Sequence, residues 1–157
     1  MTGQVPMRVE IRLATADQLD VILAQMRQMQ EEDPWSESFD ETLVRATLKQ
    51  LFQNSSHGLA YLVQDATEAV GYLILCFDYS LEYQGKGAWV DELFVARSHR
   101  GRGIATRLLE TAEKAAAEHG AKYLHLEVSH GNPAIELYRR RGFVDHQRYL
   151  MTKRIGG

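Results

Sequence analysis

Apolar and charged residues alternate from Met7 to Leu13 (MRVEIRL), the period-two pattern of a half-buried strand. Thr15 then stands three residues before Gln18, the spacing of a helix start, and from Leu19 on Ile22, Leu23, Met26 and Met29 recur at helical spacing. Pro34 ends that helix. Leu43, Ala46, Thr47, Leu48 and Leu51 mark a second, shorter helix, closed by the turn-rich Asn54 to Gly58. Two strands follow, Leu59 to Gln64 and Val70 to Phe77, with the polar Asp65 to Glu68 between them as a hairpin. Gly85 to Gly87 breaks the chain before a further strand, Trp89 to Val95. A Gly-rich turn leads into a long helix from about Arg102 to His119, and Gly120 is its stop. Tyr123 to Val128 alternates again, Pro133 to Arg141 forms a short helix ended by Gly142, and Phe143 to Lys153 supplies a last extended stretch. The predicted order is β-αα-βββ-α-β-α-β, a mixed α/β chain without internal repeat or linker, read as one domain over residues 1–157.

Composition narrows the function classes further. Of 157 residues, 45% are hydrophobic and 25% charged, the balance of a globular protein with one ordinary core. Eighteen Lys and Arg stand against 21 Asp and Glu, a net charge of −3, so no basic excess serves a nucleic-acid backbone. The longest apolar runs, such as Val70 to Phe77, fall far short of the ~20 residues that span a bilayer. Met1 to Val9 lacks the apolar core of a signal peptide. A soluble, cytoplasmic protein without nucleic-acid or membrane partners is expected. Cys76, the single cysteine, lies in an apolar run and reads as an inert buried thiol rather than a nucleophile. The six histidines, at 57, 99, 119, 125, 130 and 146, show no metal-ligand pattern, and no metal is expected.

The most informative segment is the strand, glycine turn and helix of ELFVARSHRGRGIATRLLE. A helix start leaves backbone N–H groups unpaired and carries a partial positive charge. Small residues let those amides approach an anion, so Arg100-Gly101-Arg102-Gly103-Ile104-Ala105 reads as a phosphate cradle, with two arginines adding positive charge. Two nucleotide fingerprints do not fit: GxxxxGK[ST] is absent, and Thr106 stands where GxGxxG needs its third glycine.

Arg100-x-x-Gly103-x-Ala105, preceded by Leu93-Phe94-Val95 and followed by Leu108-Leu109, resembles the acyl-CoA motif of the GNAT N-acetyltransferase superfamily. The resemblance continues through Asn132-Pro133-Ala134-Ile135-Glu136-Leu137-Tyr138 and Gly142-Phe143, and touches the opening Ile11 to Asp17. It implies an α/β (α+β) GNAT fold, a mixed central sheet of about six to seven strands flanked by about four helices. It further implies acetyl-CoA as cofactor, its pyrophosphate held by the turn from Arg100 through Gly101, Arg102, Gly103, Ile104 and Ala105 to Thr106. Asn132 is a natural N-cap before Pro133 at N1, and the resemblance adds a contact to coenzyme A.

Acetyl transfer to an amine needs a neutral nucleophile, two reactants held together, donors for the oxyanion and a proton for the leaving thiolate. The resemblance gives the oxyanion role to backbone N–H groups of Leu93, Phe94 and Val95, on a strand that splays from its neighbour. It gives the acid role to Tyr138, otherwise a packing residue of an amphipathic helix. Asp91 and Glu92 are the candidates for the base. Strict alternation lets only one of them face the acceptor, and Asp91, sharing parity with Leu93 and Val95, comes first unless a bulge intervenes.

Glu31, Glu32, Asp33, Glu37, Asp40 and Glu41 place six carboxylates and no basic residue in eleven positions, beside Trp35 and Phe39. That run is either an acidic rim for a cationic acceptor or a solvated helix end. Glu82 and Tyr83 are candidates for the same rim. The activity implied is transfer of an acetyl group from acetyl-CoA to a primary amine, a small polar or cationic molecule, directly within a ternary complex. Protein or peptide N-terminal acetylation, lysine acetylation and a non-catalytic acyl-CoA-binding module are the alternatives. A homodimer stays open as the assembly.

Overall fold

The computed structural model describes residues 9–156, so Met7 and Arg8 of the first expected strand lie outside the described residues. The chain divides into two compact units, one ending at Glu127 and the other running from Val128.

The first unit is built on a five-stranded sheet in the order β1-β2-β3-β4-β5. Its strands are β1 (Val9–Leu13), β2 (Gly58–Asp65), β3 (Glu68–Ser80), β4 (Gly85–Val95) and β5 (Leu124–Leu126). The first four pair antiparallel in sequence, β2–β3 and β3–β4 through short connections and β1–β2 across both following helices. β5 joins β4 in parallel after a crossover through α3 (Ile104–Glu118). Helices α1 (Leu19–Glu32) and α2 (Glu41–Gln53) follow β1. Their apolar stripes, including Ile22, Leu23, Met26 and Leu48, share one core with Ala60, Leu62, Tyr72, Ile74 and Phe94 of the sheet. α3 packs Leu108, Leu109 and Ala112 outside that core, against β3 and β4.

Local chemistry sets the boundaries. Thr15 opens a single 3-10 turn, Ala16–Gln18, that leads into α1, and Gln18 Oε1 accepts from the Thr15 N–H at 3.1 Å. Asp40 caps α2, its Oδ1 accepting from the N–H groups of Thr42 at 2.9 Å and Leu43 at 3.2 Å. The expected break at Gly85 to Gly87 instead lies inside β4. Gly87 is there for room, since a Cβ at that position would sit 2.0 Å from the Tyr123 ring.

In the second unit, α4 (Ala134–Arg140) starts as its sequence predicts: Pro133 has helical dihedrals and Asn132 Oδ1 accepts from the Ala134 N–H at 2.9 Å. Gly142, at φ 90°, turns the chain so that the Phe143 N–H donates to the Tyr138 carbonyl at 3.0 Å. The extended stretch expected from Phe143 to Lys153 forms no strand. Val144, Tyr149, Leu150 and Met151 are exposed, and this unit holds no neighbouring strand to pair their backbone. The sheet therefore has five strands among the described residues, short of the about six to seven expected.

Candidate active site

β4 carries the expected site residues in the first unit, and one irregularity decides how they face. Ile74 pairs with Glu92 and Leu75 with Val90, so Asp91 is an extra residue without a partner on β3. Such a bulge breaks alternation and turns two consecutive side chains to the same side. Both Asp91 and Glu92 line a cavity of about 460 Å³, so the rule that only one could face it does not hold here. The cavity's other walls come from Met26 of α1, from Trp35, Glu37 and Asp40 between the helices, from Val44, Leu48 and Leu51 of α2, and from Ile74 and Cys76 of β3.

The two carboxylates differ in kind. Glu92 is buried, 7% exposed, with Oε2 accepting from the Tyr72 hydroxyl at 3.0 Å and Oε1 without a hydrogen-bond partner. Burial pushes its pKa up to about 7; the Tyr72 hydroxyl and the nearby Trp35 indole hold it back, and the Asp91 charge adds to the rise. Asp91 is exposed, and the protein crowding it raises its pKa by desolvation alone. Burial also pushes the Tyr72 phenol upward, which keeps it a donor. The Cys76 thiol, raised to about 12 chiefly by desolvation, is held as the unreactive thiol.

Beyond Val90 no strand of the first unit pairs with the far edge of β4, because β5 pairs only with Ala88, Trp89 and Val90, and Arg100 Nε reaches Val95 O at 2.8 Å. The Ala96 N–H donates to Val70 O on β3 at 2.8 Å. Peptide direction alternates along a strand, so the N–H groups of Leu93 and Val95 face that edge while that of Phe94 faces β3. Only two of the three expected donors are thus available.

The turn after β4 suits an anion. Gly101 and Gly103 sit at φ 72° and 77°, a left-handed backbone that favours glycine, and nothing lies within 4 Å of a Cβ built on either. No side chain caps the start of α3, so the first-turn amides at Ile104, Ala105 and Thr106 are left without a side-chain acceptor. Those residues fit the pyrophosphate of coenzyme A. Arg100 does not offer its charge as expected. Its Nε donates to Val95 O at 2.8 Å and its guanidinium is paired with Glu32. Arg97 holds the other Glu32 oxygen at 3.2 Å. Partial burial works to raise the Glu32 pKa, and the two arginines outweigh it and hold it below the ordinary value.

That clamp dissolves half of the acidic rim. Glu32 is neutralised by Arg97 and Arg100, and Glu41 by Arg27 and Arg45. Asp40 is an N-cap, so of the six carboxylates only Glu37 and Asp40 line the cavity. Glu82 and Tyr83 do not line it. In the second unit Asn132 caps α4, and the half-buried Tyr138 ring packs edge-on against Phe143 at 6.0 Å. Sequence reasoning missed Tyr72 as the partner of Glu92; its only signal was a tyrosine in an apolar strand, and nothing local fixes which residue stands across from it.

Residues 22–143 match the model of the acetyltransferase (GNAT) family. Over 56 residues the chain is 47% identical to a streptothricin acetyltransferase of Streptomyces lavendulae, covering 35% of this chain and 30% of that one. Over 77 residues it is 30% identical to a thialysine N-epsilon-acetyltransferase of Bos taurus, covering 48% and 45%. The chain thus spans less than half the length of these curated relatives. An aminoglycoside N-acetyltransferase solved in complex with CoA superposes with a TM-score of 0.80 at 17% identity, over 96% of this chain and 99% of that one. At that identity the likeness is one of fold. Among the described residues no helix is long and apolar enough to cross a membrane.

Proposed function

The chain belongs to the acetyltransferase (GNAT) family, and from that premise we propose that it transfers an acetyl group from acetyl-CoA to the primary amine of a small molecule. The observation that carries this reading is a buried carboxyl with one unpartnered oxygen in a cavity beside an edge of β4 that no strand of the first unit pairs. Bound acetyl-CoA would supply an activated acetyl thioester. Gly101 to Thr106 would hold its pyrophosphate with backbone amides, and the same edge of β4 would take its amide groups as an added strand. Leu93 and Val95 then offer N–H donors where negative charge develops on the acetyl oxygen. Glu92 takes the place of Asp91 as first choice for the base, since a carboxyl with pKa about 7 is half ionised at neutrality and can accept the ammonium proton. Asp91 binds the ammonium. Tyr138 is assigned the proton for the departing thiolate, and Asn132 a contact to coenzyme A, both from the motif they share with the family. The same reading takes the enzyme as cytoplasmic.

The test is a panel of primary amines with acetyl-CoA, followed by release of free thiol. Turnover that falls ~10²–10⁴-fold in Tyr138→Phe, with coenzyme A affinity unchanged, supports the assignment. Tight coenzyme A binding without turnover of any amine means a binding module instead.

A further inference from the structure

The cavity says more about the acceptor than its charge does. Met26, Val44, Leu48, Leu51 and Ile74 give it a carbon floor, and Trp35, braced by Phe39 at 5.2 Å between ring centres, forms a side wall. Among the described residues, no Lys or Arg lines it. Among the described residues, the buried carboxyl oxygen without a hydrogen-bond partner is Glu92 Oε1, next to the bulged Asp91. Asp40 is committed to capping α2, and Glu37 is exposed at the mouth. A ligand that fits this surface has one ammonium for the Asp91–Glu92 end and carbon for the rest. Ser38, Thr47, Gln50 and His57 also line the cavity, but Thr47 donates to the Leu43 carbonyl at 2.9 Å and His57 contacts Asn54 at 3.3 Å. A hydroxyl-rich body would lose more water against Met26, Val44, Leu48, Leu51 and Ile74 than these polar groups return. At about 460 Å³ the space holds a body of one ring with room to spare.

We propose that the acceptor is a primary monoamine on an apolar body about one aromatic ring in size, with Trp35 as the residue that selects it. This rests on the acetyltransferase reading for the reaction and on the cavity alone for the selection. It narrows the small polar or cationic acceptor expected from the sequence to a monoamine with an apolar body.

Three probes share a terminal aminoalkyl group and differ in the body: 2-phenylethylamine, ethanolamine and spermidine. The expected kcat/KM for 2-phenylethylamine exceeds each of the others by roughly 10- to 100-fold, the factor that burial of one apolar side group supplies. Trp35→Ala should bring 2-phenylethylamine down toward ethanolamine and leave KM for acetyl-CoA unchanged. Val44→Gln, which puts an amide into the floor at a helix position that tolerates it, should do the same without removing a ring. Calorimetric titration of 2-phenylethylamine into the protein gives a readout independent of turnover, and heat that disappears in Trp35→Ala is the expected result. Ethanolamine or spermidine equal to or better than 2-phenylethylamine would overturn the proposal while leaving the acetyltransferase reading in place. Trp35-dependent binding without acetylation of any probe would sink the reaction and leave the selection standing.

Discussion

A carboxyl that is half ionised near neutrality makes activity sensitive to small changes of pH. If Glu92 is the base, it must be deprotonated to act, so kcat/KM should climb with pH and level off above about 7. Glu92→Gln should lower kcat/KM by ~10²–10⁴-fold and abolish that limb. Tyr72→Phe removes the donor that favours the charged form, so its limb should move to higher pH with the plateau largely kept. A limb that stays in place in Tyr72→Phe would show that the hydroxyl only fills space. Cys76, with its thiol raised to about 12, should react with iodoacetamide at pH 8 far more slowly in the folded protein than in urea. Among single residues, Asn132 was legible as a helix cap because Asn before Pro is a contiguous signal. The Tyr72–Glu92 bond joins residues 20 apart through a register that no local pattern specifies.

At the scale of elements, α1 and the glycine turn are tied together by Glu32 with Arg97 and Arg100. Arg100 in turn holds the last carbonyl of β4, so one side-chain cluster fixes the end of the strand and the entry to α3. Glu32→Gln should therefore weaken coenzyme A binding about 2- to 5-fold, the range of an exposed ion pair, and leave KM for the amine alone. An acidic rim acting on a cationic acceptor predicts the reverse, and steady-state kinetics on both substrates tell them apart. Gly103→Glu should abolish coenzyme A binding by calorimetry, because φ 77° is hostile to a side chain and the new carboxylate points at the anion site. Helices and the glycine turn were legible because apolar spacing and turn chemistry are local. The acidic run stayed open in the sequence, between rim and helix end, because its basic partners come from α1, from α2 and from the turn more than 60 residues after Glu32.

For the whole molecule, burying Glu92 has a thermodynamic signature. Its folded pKa of about 7 lies above the 4.5 of an ordinary Glu, so the folded state holds the proton more tightly. Below about 4.5 the group is neutral in both states and its burial is harmless; as pH rises through about 7, that stability is lost. Glu92→Gln stays neutral throughout. Urea midpoints should show it gaining on wild type by up to about 3 kcal/mol between pH 4.5 and 8, most of it by pH 7. A constant difference across that range would mean the carboxyl is better hydrated than its burial indicates. The helices and five of the strands followed from the order of patterns along the chain, while the sixth, expected over Phe143 to Lys153, did not form. The cavity exists only where α1, α2, β3 and β4 meet, and volume has no sequence signature.

The unpaired residue in β4 has a genetic meaning. Since β3 already pairs with Val90 and Glu92 on either side of it, in-frame loss of the single codon for Asp91 would join two residues whose partners are themselves adjacent. The ladder would close without a gap, and no other element would have to move. Among all one-codon deletions in β4, this one should leave the protein expressed, folded and able to bind coenzyme A while it silences amine acetylation. Read in the opposite direction, a plain antiparallel ladder stands one insertion away from owning a pair of carboxylates on one face.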